Sequence, residues 1–156
     1  HYTQMSITRT KRGLKHYEIS AELQQAVKTT KATNWLLITE AWCGDASNTV
    51  PIIALAAAIN PAIQLRVMVR DEHPDLMQNY LTNGSKSIPI LVVMDDMGNE
   101  LGKWGPRPAE CQELVITSKQ NPAITQEELM SIIQKWYIQD ATVSTQAELS
   151  NLLTTF

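Results

Sequence analysis

Four short strand-like runs constrain this chain more than any other feature. Trp35-Leu36-Leu37-Ile38-Thr39, Leu65-Arg66-Val67-Met68-Val69, Ile90-Leu91-Val92-Val93-Met94 and Glu100 to Trp104 are too short for helices and are separated by turn residues. The first is a short continuous apolar run, the pattern of a strand buried on both faces, and Pro89 opens the third. Segments with helical spacing lie before, between and after them. Alternation of strands and helices implies a parallel crossover, with helices covering both faces of a sheet. Asp95-Asp96-Met97-Gly98-Asn99 reads as a hairpin loop, so the last two strands form an antiparallel edge.

The helices have their own punctuation. Ser20 caps a helix of about ten residues, with Leu23, Ala26 and Val27 on one face. Asp45 to Asn60 is helical, rich in Ala and Ile, and kinked at Pro51. Pro74 opens a short helix through Leu81, which Asn83-Gly84 ends. A helix from about Arg107 to Ser118 stops before Asn121-Pro122. Thr125 with Glu128 forms a capping box for a helix to about Gln139, and Thr145 with Glu148 a second for a short final helix. Residues 1–17 are polar and basic with no clear period and read as a loop or a loosely held arm. The chain reads as one domain over 1–156, with a core at about 18–118 and a helical extension at about 121–156.

Composition narrows the function classes. Hydrophobic residues make up 44% of the 156 and charged residues 19%, which suits a globular domain large enough to stand without staples. A net charge of -3 supplies no field to draw nucleic acid or an anionic membrane surface. The basic cluster of Arg9, Lys11, Arg12, Lys15 and His16 is local and reads as a solvated face. No apolar run approaches the ~18 residues of a membrane span. Two cysteines, Cys43 and Cys111, make no disulfide framework and fit a reducing compartment. His1-Tyr2-Thr3-Gln4 lacks the features of a signal peptide, so a cytoplasmic location is expected; a start at His rather than Met suggests a trimmed or tagged terminus. His1, His16, His73 and the cysteines show no metal-ligand spacing, and no glycine-rich phosphate loop is present.

Trp42-Cys43-Gly44-Asp45 falls between the first strand and the following helix. Amides at a helix N-terminus favour an anion, and a thiolate is one. A cysteine there is expected to have a lowered pKa and to be a better nucleophile. The carboxylate of Asp45 opposes this by repulsion. Glu40 and Asp45 flank the cysteine and read as solvated carboxylates. Pro89 admits two conformations: an ordinary strand start, or a cis bond that turns Ile88 outward to pair with an extended peptide. Cys111, spaced with Leu114 and Val115, suits a buried helix face, and Trp35 and Trp136 suit packing positions.

Trp42-Cys43-Gly44-Asp45-Ala46 resembles the Trp-Cys-Gly-Pro-Cys motif of the thioredoxin family. Pro51, eight residues after Cys43, stands where that family kinks its helix; Ile88-Pro89 is similar to its cis-proline pair, and Lys103-Trp104-Gly105 to the stretch bordering its substrate groove. The resemblance covers about residues 18–118. It implies a thioredoxin-like three-layer α/β/α sandwich with a mixed four- or five-stranded sheet, here with extra C-terminal helices. It also implies Cys43 as the reactive sulfur, the N-terminal amides of the helix from Gly44 to Ala46 as its anion cradle, and Trp42, Ile88, Pro89 and Gly105 as the groove.

Two departures matter. Ala46 replaces the second cysteine, so the chain lacks a built-in thiol to resolve a mixed disulfide. Leu37 stands where the family buries an aspartate, six residues before Cys43. Asp45 itself replaces the motif proline. A threonine four rather than three residues before the cysteine disfavours a peroxidase of related fold. The expected function is single-cysteine thiol–disulfide exchange or deglutathionylation at Cys43, acting on protein or peptide thiols and disulfides. Glutathione or another external thiol would serve as co-substrate and resolver, with no cofactor or metal. The alternative is a non-catalytic module that holds a peptide or protein in the groove; a third is a dithiol enzyme silenced at position 46.

Overall fold

The two most apolar runs occupy the two inner positions of a single sheet. In the computed structural model, which describes residues 1–156, β1 (Asn34–Thr39) and β3 (Ile90–Met94) are flanked by β2 (Gln64–Val69) and β4 (Glu100–Trp104), in the order β2-β1-β3-β4. β1 and β2 are parallel, with Trp35 opposite Leu65 and Ile38 opposite Met68. α3 (Gly44–Ala57) makes the crossover between them. β3 runs antiparallel to both β1 and β4, so only one pair of the sheet is parallel.

Pleating sends alternate side chains to opposite faces. Trp35, Leu37, Leu91 and Val93 enter the main core, with Leu23, Ala26 and Val27 of α2 (Ala21–Thr29) and Ile52, Ile53 and Ala56 of α3. Ile38, Ile90 and Val92 pack on the other face against Met77 of α4 (Pro74–Gln78). Full burial of one such aliphatic side chain contributes about 1.5–3 kcal/mol. β2 is an edge strand with little cover, and Val67 is 57% exposed. A sheet with helical layers on both faces is the expected three-layer α/β/α sandwich, with four strands.

Several elements differ from the sequence expectation. Residues 1–17 are not an arm: α1 is a helix from Tyr2 to His16 packed along α3. Its buried residues are Ser6 and Gly13, so small side chains mediate the docking and leave no apolar stripe to read. α3 closes at Ala57, three residues before Asn60. α4 ends at Gln78 rather than Leu81, and Asn83-Gly84 serves a different turn. Both have positive φ (49° and 75°) and join Thr82 to Ser85 in a bridged pair, the two-residue turn for which Asn-Gly is suited.

α5 (Ala109–Lys119) and α6 (Gln126–Asp140) fall as expected, and Thr125 and Glu128 form the reciprocal capping box. The second capping box does not form. α7 (Val143–Leu153) starts before Thr145, which is buried within the helix. Ala141 and Thr142, both left-handed, make the tight link from α6, and the Asp140 carboxylate accepts from the Ser144 amide. Glu148 instead accepts from Trp104 Nε1 at 2.7 Å and from the Ala109 amide at 2.8 Å. Leu149 and Leu153 of α7 lie in the main core. No helix is long and apolar enough to cross a membrane.

Candidate functional site

The site forms where β1 ends and α3 begins. The Cys43 amide donates to Glu40 O at 3.2 Å, closing the turn that carries Trp42 to the surface. Cys43 is extended (φ -72°, ψ 122°) and is itself the N-cap of α3, its Sγ accepting from the Ala46 amide at 3.4 Å. A thiol thus occupies the place where a serine or aspartate oxygen usually satisfies a free helix amide. On its other side the Cys43 thiol donates to Ile88 O at 3.4 Å, joining the α3 N-terminus to the Ile88-Pro89 peptide bond, which is cis.

The sulfur lies just beneath the surface. Cys43 is 7% exposed, whereas Trp42 beside it is 43% exposed. Burial pushes the Cys43 thiol up to about 11; the Ala46 amide pulls it down, the Asp45 carboxylate pushes it up and Arg107 pulls it down. The lowered pKa expected of a helix N-terminus is therefore reversed. The amide acts in the predicted direction, but desolvation outweighs it. At neutral pH the group is a thiol.

Ala46 is buried at the position of the missing second cysteine, and Leu37 is buried in the main core where the resemblance places an acid. Cys111 is fully buried on α5, and both cysteines are free. Burial, and after it the Asp45 carboxylate, push the Cys111 thiol up to about 12. Gly44 opens α3 with free space where a Cβ would be. Pro89 and Ile88 are buried, and the Ile88 carbonyl is engaged by the thiol rather than turned outward. Gly105 has φ +120° and lies against Pro89; a Cβ there would be 2.2 Å from Pro89 O. The following Gly105-Pro106 bond is also cis.

Asp45 is not the solvated carboxylate of the sequence expectation. It is buried, and Arg107 grips it with two donors: Nε to Oδ1 at 3.0 Å and Nη2 to Oδ2 at 2.6 Å. Tyr137 of α6 donates its hydroxyl to Oδ1 at 2.9 Å, and Arg107 Nη1 reaches Gln112 Oε1 at 2.7 Å. Burial acts to lower the Arg107 pKa, and the Asp45 carboxylate more than reverses this, so it is raised. Burial, then the Asp45 charge, pushes the Tyr137 phenol upward, keeping it a neutral donor. Sequence reasoning missed Arg107 and Tyr137. The available signal was a charge in place of the motif proline, with an arginine two residues beyond the groove glycine.

The mouth of the site has further ties. The Arg70 guanidinium lies 5.0 Å from the Trp42 ring centroid, and its Nη1 donates to Lys86 O at 2.9 Å. Glu40 accepts from the Asp71 amide at 2.9 Å, and Ser6 of α1 donates to Trp42 O at 3.2 Å. Arg9 is half-buried rather than freely solvated and donates to Ser47 Oγ at 3.1 Å. Trp35 is core, as expected; Trp136 is partly buried and donates to Glu110 at 3.3 Å. No three His, Cys, Asp or Glu side chains converge as metal ligands.

Comparison with solved structures supports the architecture. A protein of unknown function from Pseudomonas aeruginosa superposes with a TM-score of 0.68 at 17% identity, over 97% of this chain and 83% of the other. An HIV epitope scaffold gives a TM-score of 0.65 at 18% identity, over 97% and 84%. At such identities the likeness is one of fold. No curated protein matches at a significant level. The sequence profile described as Thioredoxin matches residues 1–147. That match takes in the Cys43 turn, the Pro89 loop and the helices framing them, and on its extent the chain belongs to the thioredoxin family.

Proposed function

We propose that the protein carries out single-cysteine thiol–disulfide exchange at Cys43. The observation that carries this reading is the place of the sulfur. It caps α3, takes the Ala46 amide, and lies against the carbonyl that precedes Pro89. The amide that holds the thiol is equally placed to hold a thiolate, the species that attacks a disulfide. Trp42, Pro89 and Gly105 then border the approach of a substrate chain.

The chemistry balances without a second protein thiol. Cys43 loses its proton to solvent, and its thiolate attacks one sulfur of a protein–glutathione disulfide. The new Cys43–glutathione bond forms as the old bond breaks, and the protein thiolate leaves and takes up a proton. A second glutathione attacks the mixed disulfide, forming glutathione disulfide and restoring Cys43. In net terms the protein–glutathione disulfide is reduced to a free protein thiol, and one glutathione is consumed as its sulfur joins the released glutathionyl group in glutathione disulfide. Because Ala46 cannot resolve the intermediate, the external thiol sets the rate of release.

A second reading is a binding module that holds an extended peptide without exchange. The buried sulfur, with its pKa pushed up to about 11, favours it. One experiment decides. The protein is treated with a peptide whose central cysteine is glutathionylated, and adducts are mapped by mass. Exchange predicts a mixed disulfide on Cys43, absent in Cys43→Ser and released by added glutathione. Its rate should rise about tenfold per pH unit from neutral toward pH 10, since the thiolate fraction does so below the thiol pKa. Peptide binding that survives in Cys43→Ser, with no adduct at any pH, would establish the module instead.

A further inference from the structure

Asp45 poses a problem for any thiolate at Cys43. It sits in the first turn of α3, two residues from the sulfur, where its charge raises the cost of ionising the thiol. The fold surrounds that carboxylate with donors from two other elements. Arg107, between β4 and α5, offers a planar fork to both oxygens, at 3.0 and 2.6 Å. Gln112 fixes the third arm of the guanidinium at 2.7 Å, and Tyr137 reaches in from α6 at 2.9 Å.

We infer that Arg107 and Tyr137 are positioning residues for Cys43: by fixing and neutralising the Asp45 carboxylate, they keep a bare negative charge away from the sulfur. Arginine suits this duty better than lysine, because a two-pronged grip on both oxygens holds the carboxylate in one orientation. A buried carboxylate stripped of its cation is an uncompensated charge in a poorly solvated place, where it acts on neighbours with little screening. The groups facing Asp45 are few. They are Arg107, Tyr137 from α6, Cys111 from α5 and Cys43 on its own helix; Glu110 and Asp140 act more distantly, on Cys111. Among these Arg107 is the one cation.

The use of the arrangement rests on the exchange reaction, but the arrangement itself is tested on the thiol alone. Wild type, Arg107→Met, Tyr137→Phe, Asp45→Asn and the Asp45→Asn/Arg107→Met double variant are alkylated with iodoacetamide across a pH series. Labelling of Cys43 is followed by peptide mass mapping. The quantity read is the midpoint of the profile, which charge moves; a change in the plateau alone reports exposure. Arg107→Met is expected to raise the midpoint by about one unit, slowing labelling about tenfold at a fixed pH on the lower limb. Tyr137→Phe shifts it the same way by less, and Asp45→Asn lowers it. In the double variant the penalty of losing Arg107 disappears.

An unmoved or lowered midpoint in folded Arg107→Met would show that the pair is a structural tie only. If that variant does not fold by circular dichroism, Asp45→Asn decides alone, and a midpoint at or above wild type overturns the inference. Failure of the exchange reaction is separate: a shifted midpoint with no mixed disulfide from the glutathionylated peptide sinks that function and leaves the electrostatic role standing.

Discussion

Gly105 shows how one residue sets the shape of the site. At φ +120° an L side chain is strained, and the nearest obstacle to a Cβ is a backbone oxygen, that of Pro89, at 2.2 Å. A backbone atom cannot rotate aside as a side chain can. Gly105→Ala should therefore cost about 3 kcal/mol or more and push the Pro89 segment away from the sulfur. Urea unfolding measures the first effect, and faster alkylation of Cys43 the second. Trp42, Cys43, Pro89 and Gly105 could be named from sequence because each stands in a short stretch that resembles a landmark of the family. Arg107 and Tyr137 could not, since they meet Asp45 across 62 and 92 positions and no local pattern encodes such a meeting. The expected fall in the Cys43 pKa failed for a related reason: the helix amide is local, but burial is a property of everything packed around the thiol.

At the scale of elements, the strands and the capped amphipathic helices announced themselves, and α1 did not. β1 and β3 have apolar residues on both faces because both faces are covered, so composition and position agree. α1 docks through the absence of side chains. A Cβ at Gly13 would lie 2.8 Å from Pro51 Cγ and 2.8 Å from Tyr17 Cε2, so the glycine lets α1 lie close to α3 at Pro51. Gly13→Ala gains about 1 kcal/mol of helix propensity but must displace a rigid proline ring and an aromatic ring. A net destabilisation of about 1–2 kcal/mol is expected from denaturant titration. An increase in stability would mean that α1 rides further from α3. The link from α6 to α7 was equally hidden, because Ala141 and Thr142 take left-handed conformations that sequence rules reserve for Gly and Asn.

For the whole molecule, the C-terminal helices belong to the fold rather than decorate it. Glu148 joins α7 to Trp104 and α5, and Gln146 accepts from the Ser20 amide at 2.7 Å and donates to Glu18 O at 3.1 Å. Burial on this scale also sets how stability depends on pH. Cys43 and Cys111 have thiols raised from 9.0 to about 11 and about 12, and the Tyr137 phenol is raised as well. Above about pH 9 the unfolded thiols release protons that the folded ones retain, so the unfolded state binds fewer protons and stability falls. The stabilisation is complete below pH 9.0 and lost as pH rises through about 11 and 12. Each thiol contributes a slope of about 1.4 kcal/mol per pH unit within its window. Urea midpoints at neutral pH and near pH 10 check this, and a protein as stable at the higher value would contradict the burial of both sulfurs.

Trp42 has a consequence for how this protein can be watched. Of the four tryptophans it is the one most open to solvent, and it lies under the Arg70 guanidinium at the mouth of the site. The indole therefore acts as a built-in optical probe: a chain settling over Cys43 must displace water or the guanidinium from the ring. Such an event alters its emission colour and its accessibility to dissolved quenchers, with no label attached.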